Sequence, residues 1–107
     1  MPGPAKAVTS ATLKYMTKAQ RETFATIARL SPGKSRPWLL AAIIVGRRIG
    51  DYGMSQSGRS IGQVMAWAED FLWRWEGWLV ERKPSVGGVG SSRWRLTRKA
   101  KHVAKDL

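Results

Sequence analysis

Cysteine is absent from the 107 residues, which excludes a disulfide framework and any thiolate metal site. Histidine is represented by His102 alone, and one imidazole cannot build a histidine-based zinc site. Long apolar runs are lacking too: the longest, Trp38 to Val45, is too short to cross a bilayer. The opening Met1-Pro2-Gly3-Pro4-Ala5-Lys6 has no apolar stretch of the signal-peptide kind. Neither end carries a basic amphipathic helix with a wide apolar face, so no membrane contact is expected. A soluble, cytoplasmic protein is the expectation. Catalytic constellations are also missing. His102 has only Asp106 nearby, no Ser-His-Asp spacing is visible, and no carboxylate pair shares an apolar cleft. Gly87-Gly88-Val89-Gly90 is glycine-rich but precedes a strand pattern and lacks the Lys-Ser/Thr of a phosphate cradle. No enzyme, cofactor or metal is expected.

Acid is the scarcest class relative to its counterpart, with seven Asp and Glu against nineteen Lys and Arg, a formal net charge of +12. A chain so charged repels itself until an anion neutralises it, and nucleic acid is the leading candidate. What the sequence does have is apolar mass: 43% of residues, six of them Trp. That is enough for one core without metal or disulfide support, in a chain of single-domain size. The expected division is a flexible arm over residues 1–16, rich in Pro and Gly, and one domain over 17–107.

Thr17 followed by Gln20 at N3 is a capping box, and Phe24, Ile27 and Ala28 follow at helical spacing, predicting a helix from Lys18 to about Leu30. Ser31-Pro32-Gly33 stops it. A second helix is predicted from near Pro37 to Ile49, apolar on all sides over Trp38 to Val45, with Arg47 and Arg48 at its negative end. Gly50 to Gly58 reads as a loop. A third helix over about 59–76 places Ile61, Val64, Met65, Ala68, Phe71, Leu72 and Trp75 on one arc and Arg59, Gln63, Asp70 and Arg74 opposite. Beyond Gly77 the pattern becomes extended. Trp94 and Leu96 alternate with Arg93 and Arg95, so residues 78–97 read as a β-hairpin, and Thr97 caps a last helix from Arg98 to about Lys105. The fold class expected is α+β, mainly α: a three-helix core, a two-stranded hairpin and a short C-terminal helix.

Glu76-Gly77-Trp78-Leu79-Val80-Glu81-Arg82 and Arg95-Leu96-Thr97-Arg98-Lys99-Ala100 resemble the passages that open and close the wing in winged helix-turn-helix regulators of the MarR and PadR kind. The likeness covers roughly residues 17–107. One feature departs from it: the turn before a recognition helix is about three or four residues, and Gly50 to Gly58 is longer. Either the second helix extends or re-forms through Tyr52 and Met54, or the loop is an insertion. The resemblance implies a small transcriptional regulator, phage- or plasmid-encoded among the options, that binds double-stranded DNA as a homodimer.

On that reading the third helix enters the major groove. Arg59, Ser60 and Gln63 are then the candidates for base edges, since Arg matches guanine and Gln adenine. Backbone or wing contacts fall to Arg47, Arg48, Arg74, Arg82, Lys83, Arg93, Arg95, Arg98, Lys99 and Lys101. The bland alternatives are a solvated helix face, cations at a helix end, and edge-strand charges that prevent aggregation. Trp38, Trp75 and Trp94 are expected in the core and Trp67 and Trp78 at its margin. Trp73 points away from the core and needs a cover from the arm, the last helix or a second subunit, which makes it the dimer-contact candidate. Two other functions are weighed: an adaptor that binds an acidic protein partner, and a non-specific nucleic-acid coat.

Overall fold

The computed structural model describes residues 8–54, 60–87 and 90–107. The described chain is α+β and mainly helical, with a three-stranded antiparallel sheet. None of its helices is long and apolar enough to cross a membrane.

Helix α1 (Thr12–Tyr15) is a single turn. On either side of it Val8 and Met16 are buried in the main core, so residues 8–16 belong to the packed body and not to an arm; residues 1–7 lie outside the described set. Helix α2 (Lys18–Arg29) starts on the expected capping box. Thr17 Oγ1 accepts from the Gln20 amide at 3.1 Å, and Gln20 Oε1 accepts from the Thr17 amide at 3.0 Å. Two otherwise orphaned donors are satisfied reciprocally. The same helix carries Thr23 and Thr26 into the core beside Phe24 and Ile27. Their hydroxyls donate to the Ala19 and Glu22 carbonyls at 2.8 and 2.9 Å, so neither oxygen is buried unsatisfied.

The helix expected from Pro37 is replaced at its start by strand β1 (Leu39–Leu40), and α3 (Ala41–Tyr52) follows it directly. Leu39 and Leu40 find ladder partners on a strand far along the chain, which outweighs a local preference for helix. At its other end α3 runs through Gly50 to Tyr52 instead of stopping at Ile49, and Gly53 closes it with φ of 78°. The predicted loop is therefore helical as far as Tyr52, as the extended-helix option has it, but not at Met54. Residues 55–59 lie outside the described set.

Helix α4 (Ile61–Arg74) is shorter at both ends than the expected 59–76. It buries Val64, Ala68, Phe71 and Leu72, and α3 packs between α2 and α4. Gly77, at φ of 86°, turns the chain and donates its amide to the Val80 carbonyl at 2.8 Å; a residue with a side chain would be strained there. Strands β2 (Val80–Lys83) and β3 (Arg93–Leu96) form the expected hairpin, and β1 adds a third strand to give the order β1-β3-β2. Trp94 and Leu96 on β3 and Val80 on β2 enter the core with Phe24, Ile27, Ile44, Leu72 and Leu79. Thr97 accepts from the Ala100 amide at 3.1 Å and caps α5 (Arg98–Val103), which ends in a 3-10 turn, Ala104–Asp106.

Candidate nucleic-acid interface

Register decides which side chains share the outer face of the sheet. Leu39 pairs with Trp94 and Leu40 with Arg93, while Glu81 pairs with Arg95 and Lys83 with Arg93. Since Trp94 and Leu96 point into the core, Arg93 and Arg95 point outward, and with them Leu40, Glu81 and Lys83. Trp38, one residue before β1, joins this face: the Arg95 guanidinium lies 4.2 Å and the Lys83 ammonium 5.9 Å from its ring centroid. Trp38 was expected in the core. It lies on the sheet instead, half-buried, because the segment is strand and not helix at this point.

Two rows of side chains cross this face. Nearer the core end, Arg95 Nε donates to Glu81 Oε2 at 2.7 Å, and Arg36 Nη1 lies 3.4 Å from the same carboxylate oxygen. Arg36 also donates to the Leu96 carbonyl at 3.2 Å. Nearer the hairpin tip, Lys83 stands directly opposite Arg93, both exposed. Among the described residues, neither makes an ion pair. Like charges directly opposed across a ladder are destabilising. Edge protection does not account for Arg93 and Arg95, because β3 is the central strand.

The remaining candidates divide into held and free cations. Arg47 donates to Asp51 one turn on, at 3.1 Å, and Asp51 also takes Arg29 at 3.1 Å. Tyr52 beside Arg29 raises that guanidinium further above its already high pKa, the neighbouring Asp51 adding to the effect. Arg48 turns inward. It sits 3.6 Å from Glu22 of α2 and over the Trp67 ring at 5.3 Å, and its Nε is buried without a partner among the described residues. Its expected place at a helix end fails because α3 continues past it, and the side chain packs between α2 and α4 instead. Arg74 pairs with Asp70 at 2.7 Å on the exposed side of α4. Arg82 pairs with Glu76 at 3.2 Å and covers the Trp73 ring at 4.4 Å. Trp73 also meets the edge of Trp94 with centroids 5.4 Å apart. The cover that Trp73 needs is thus supplied in part by the chain's own hairpin, a source the sequence did not suggest, and half of the ring stays exposed.

Lys101 on α5 donates to the carbonyls of Ser31 and Ser35, whereas Arg98 and Lys99 are exposed. Of the base-edge candidates, Arg59 lies outside the described residues. Ser60 and Gln63 form a second capping box: Ser60 Oγ accepts from the Gln63 amide at 3.2 Å and Gln63 Oε1 from the Ser60 amide at 2.9 Å. The face of α4 beside them is made of exposed Ile61, Gly62 and Ala66. Trp38 and Arg36 were not foreseen as members of the surface. Their signal lies in pairing with β3, which a two-residue strand does not announce.

Among the described residues, no group of three or more His, Asp or Glu side chains is arranged to hold a metal. Comparison of the chain with protein-family models, with curated proteins and with solved structures finds no match.

Proposed function

We propose that the chain is a double-stranded DNA-binding protein of winged-helix architecture, acting as a small transcriptional regulator. The helical layer α2, α3 and α4 followed by a β2–β3 hairpin is the element order such a domain requires. The observation that carries the reading is the opposition of Lys83 and Arg93 across the β2–β3 ladder, with no carboxylate partner for either among the described residues. Such a pair costs stability in the free protein and is relieved by an anion of regular spacing, which a phosphodiester backbone supplies. Arg95, fixed over Trp38, extends the positive surface beyond it.

On this reading the hairpin fixes position and α4 supplies what discrimination there is. With Ser60 and Gln63 engaged in capping, the base-reading burden shifts to Arg59 and to Ile61 and Ala66, whose apolar surfaces suit thymine methyl groups. The mechanism is occupancy and not catalysis. A homodimer fits a two-fold site, though Trp73 gives it less support once Arg82 lies over the ring.

The test is binding of the full chain to a pool of random duplex DNA at about 150 mM salt, followed by selection and sequencing of the bound fraction. Enrichment of one motif is the expected result. Binding without enrichment turns the reading into a non-specific coat, and absence of binding refutes it in favour of a protein adaptor.

A further inference from the structure

We propose that a groove between the Ser31–Arg36 turn and α5 is a second phosphodiester-binding site, separate from the hairpin, so that one chain holds two segments of nucleic acid. This rests on the nucleic-acid reading above and adds to it a bridging activity.

The position follows from the register. Lys83 and Arg93 lie at the hairpin-tip end of the β2–β3 ladder, and Val80 and Leu96 at the other. Three residue steps at ~3.4 Å separate Arg93 from Leu96 by roughly 10 Å. Arg36 is tied to the Leu96 carbonyl, and α5 begins just beyond it, so the groove sits past the far end of β3. Between the two surfaces lies the row of Arg36, Glu81 and Arg95 beside Trp38, where a carboxylate interrupts the run of free cations.

The chemistry is one-signed. Lys34, Arg36, Arg98, Lys101, His102 and Lys105 line a groove of about 710 Å³, and no carboxylate lines it. Asp106, next to Lys105, accepts from the Ser10 hydroxyl at 2.5 Å. Two of the six cationic or imidazole side chains build the walls. Lys101 joins α5 to the turn through the Ser31 and Ser35 carbonyls, and Arg36 is held by Glu81 and Leu96. The three that are left charged and exposed, Lys34, Arg98 and Lys105, make no ion pair or hydrogen bond among the described residues. An open groove with cations on flexible stems suits a polymer backbone better than a small ligand, whose sites bury most of its surface against few fixed polar groups.

The experiment measures capture of a fluorescent 15-base-pair duplex by beads bearing an unlabelled duplex, with the full chain as the only link, alongside direct titration of the same short duplex. Wild type should bridge, and should saturate at two short duplexes per chain. The triple variant Lys34→Gln, Arg98→Gln, Lys105→Gln changes exposed side chains only. It should still bind one duplex through the hairpin while its capture falls by about two orders of magnitude at ~0.15 M salt, the loss expected for three phosphate contacts. Replacement by the other cation (Lys34→Arg, Lys105→Arg) should leave capture intact. Duplex binding without bridging in the wild type, or undiminished capture by the triple variant, overturns the second site alone. Poly-glutamate that occupies the groove more tightly than duplex assigns it to an acidic polypeptide and overturns it too. Failure to bind duplex in either assay overturns both readings.

Discussion

Replacing Arg93 by Thr should weaken DNA binding and stabilise the free protein at the same time. Arg93 sits on the central strand, opposite Lys83 in the ladder, exposed and without an ion-pair partner among the described residues. Thr keeps the strand propensity and removes the charge. A like-charge cross-strand pair costs between about 0.2 and 1 kcal/mol, so relieving it returns about 0.5 kcal/mol. For a domain of this size that is a rise in Tm of roughly 2 to 4 °C. On the binding side, one lost phosphate contact lowers the slope of log K against log salt by about 0.9. From a 1 M reference down to ~0.15 M that slope amounts to about 0.7 of a decade, a roughly fivefold loss of affinity. Thermal unfolding followed by tryptophan fluorescence gives the first quantity, and anisotropy of a labelled duplex over a salt series gives the second. Arg47→Gln is the matched control, because it removes the same charge from a residue already paired with Asp51, and its salt slope should stay at the wild-type value. A fall in Tm together with an unchanged slope for Arg93→Thr refutes the assignment of this pair to an anion.

Three further outcomes follow from the packing. Ser60→Ala removes the hydroxyl that caps α4 and should cost about 1 kcal/mol of stability by denaturant unfolding, with duplex affinity of the folded protein unchanged; a large affinity loss would restore Ser60 as a base contact. Arg48→Ala strips the partner from Glu22 and the cover from Trp67, so it should destabilise by on the order of 2 kcal/mol while leaving the salt slope of DNA binding alone. Trp94→Ala empties the largest fully buried side chain and should cost about 3 to 5 kcal/mol, read as loss of cooperative unfolding or a sharply lowered denaturant midpoint.

Much of the helical frame was legible because its signals are local. The Thr17–Gln20 box, the apolar arc of α4 and the Thr97 cap each lie within a few residues, and all three appear in the structure, except that Ile61 of the arc is exposed. β1 was missed for the opposite reason. Leu39 and Leu40 show no alternation, and their strand exists only because Arg93 and Trp94 come to them from much later in the chain. That one miss also misplaced Trp38. The arm was overextended because nothing near Val8 or Met16 indicates the core they enter. Ser60 and Gln63 carry the same spacing as Thr17 and Gln20, so a single local rule applied to both helices predicts their capping box as well. The place of Arg48 is not legible locally because its partners, Glu22 and Trp67, belong to other helices.

The net charge is a poorer guide to the interface than the pairing that remains after folding. Seven arginines, at positions 29, 36, 47, 48, 74, 82 and 95, lie in ion pairs with five carboxylates, those of Glu22, Asp51, Asp70, Glu76 and Glu81. Two of those carboxylates are shared, so the pairs Arg29 with Arg47 and Arg36 with Arg95 each keep one surplus positive charge in a fixed place. Guanidinium suits that arrangement, since its planar fork can serve a carboxylate while its face covers an aromatic ring, as Arg95 does over Trp38 and Arg82 over Trp73. Of the described cations left without a carboxylate, Lys83 and Arg93 stand together at the hairpin tip and Lys34, Arg98 and Lys105 around the α5 groove, while Lys14, Lys18 and Arg21 lie at the α1–α2 end. Surface ion pairs contribute little to stability, so their greater effect here is on where the unneutralised charge lies. Two of these clusters stand at opposite ends of one small sheet, and that separation is the ground for proposing two anionic segments instead of one.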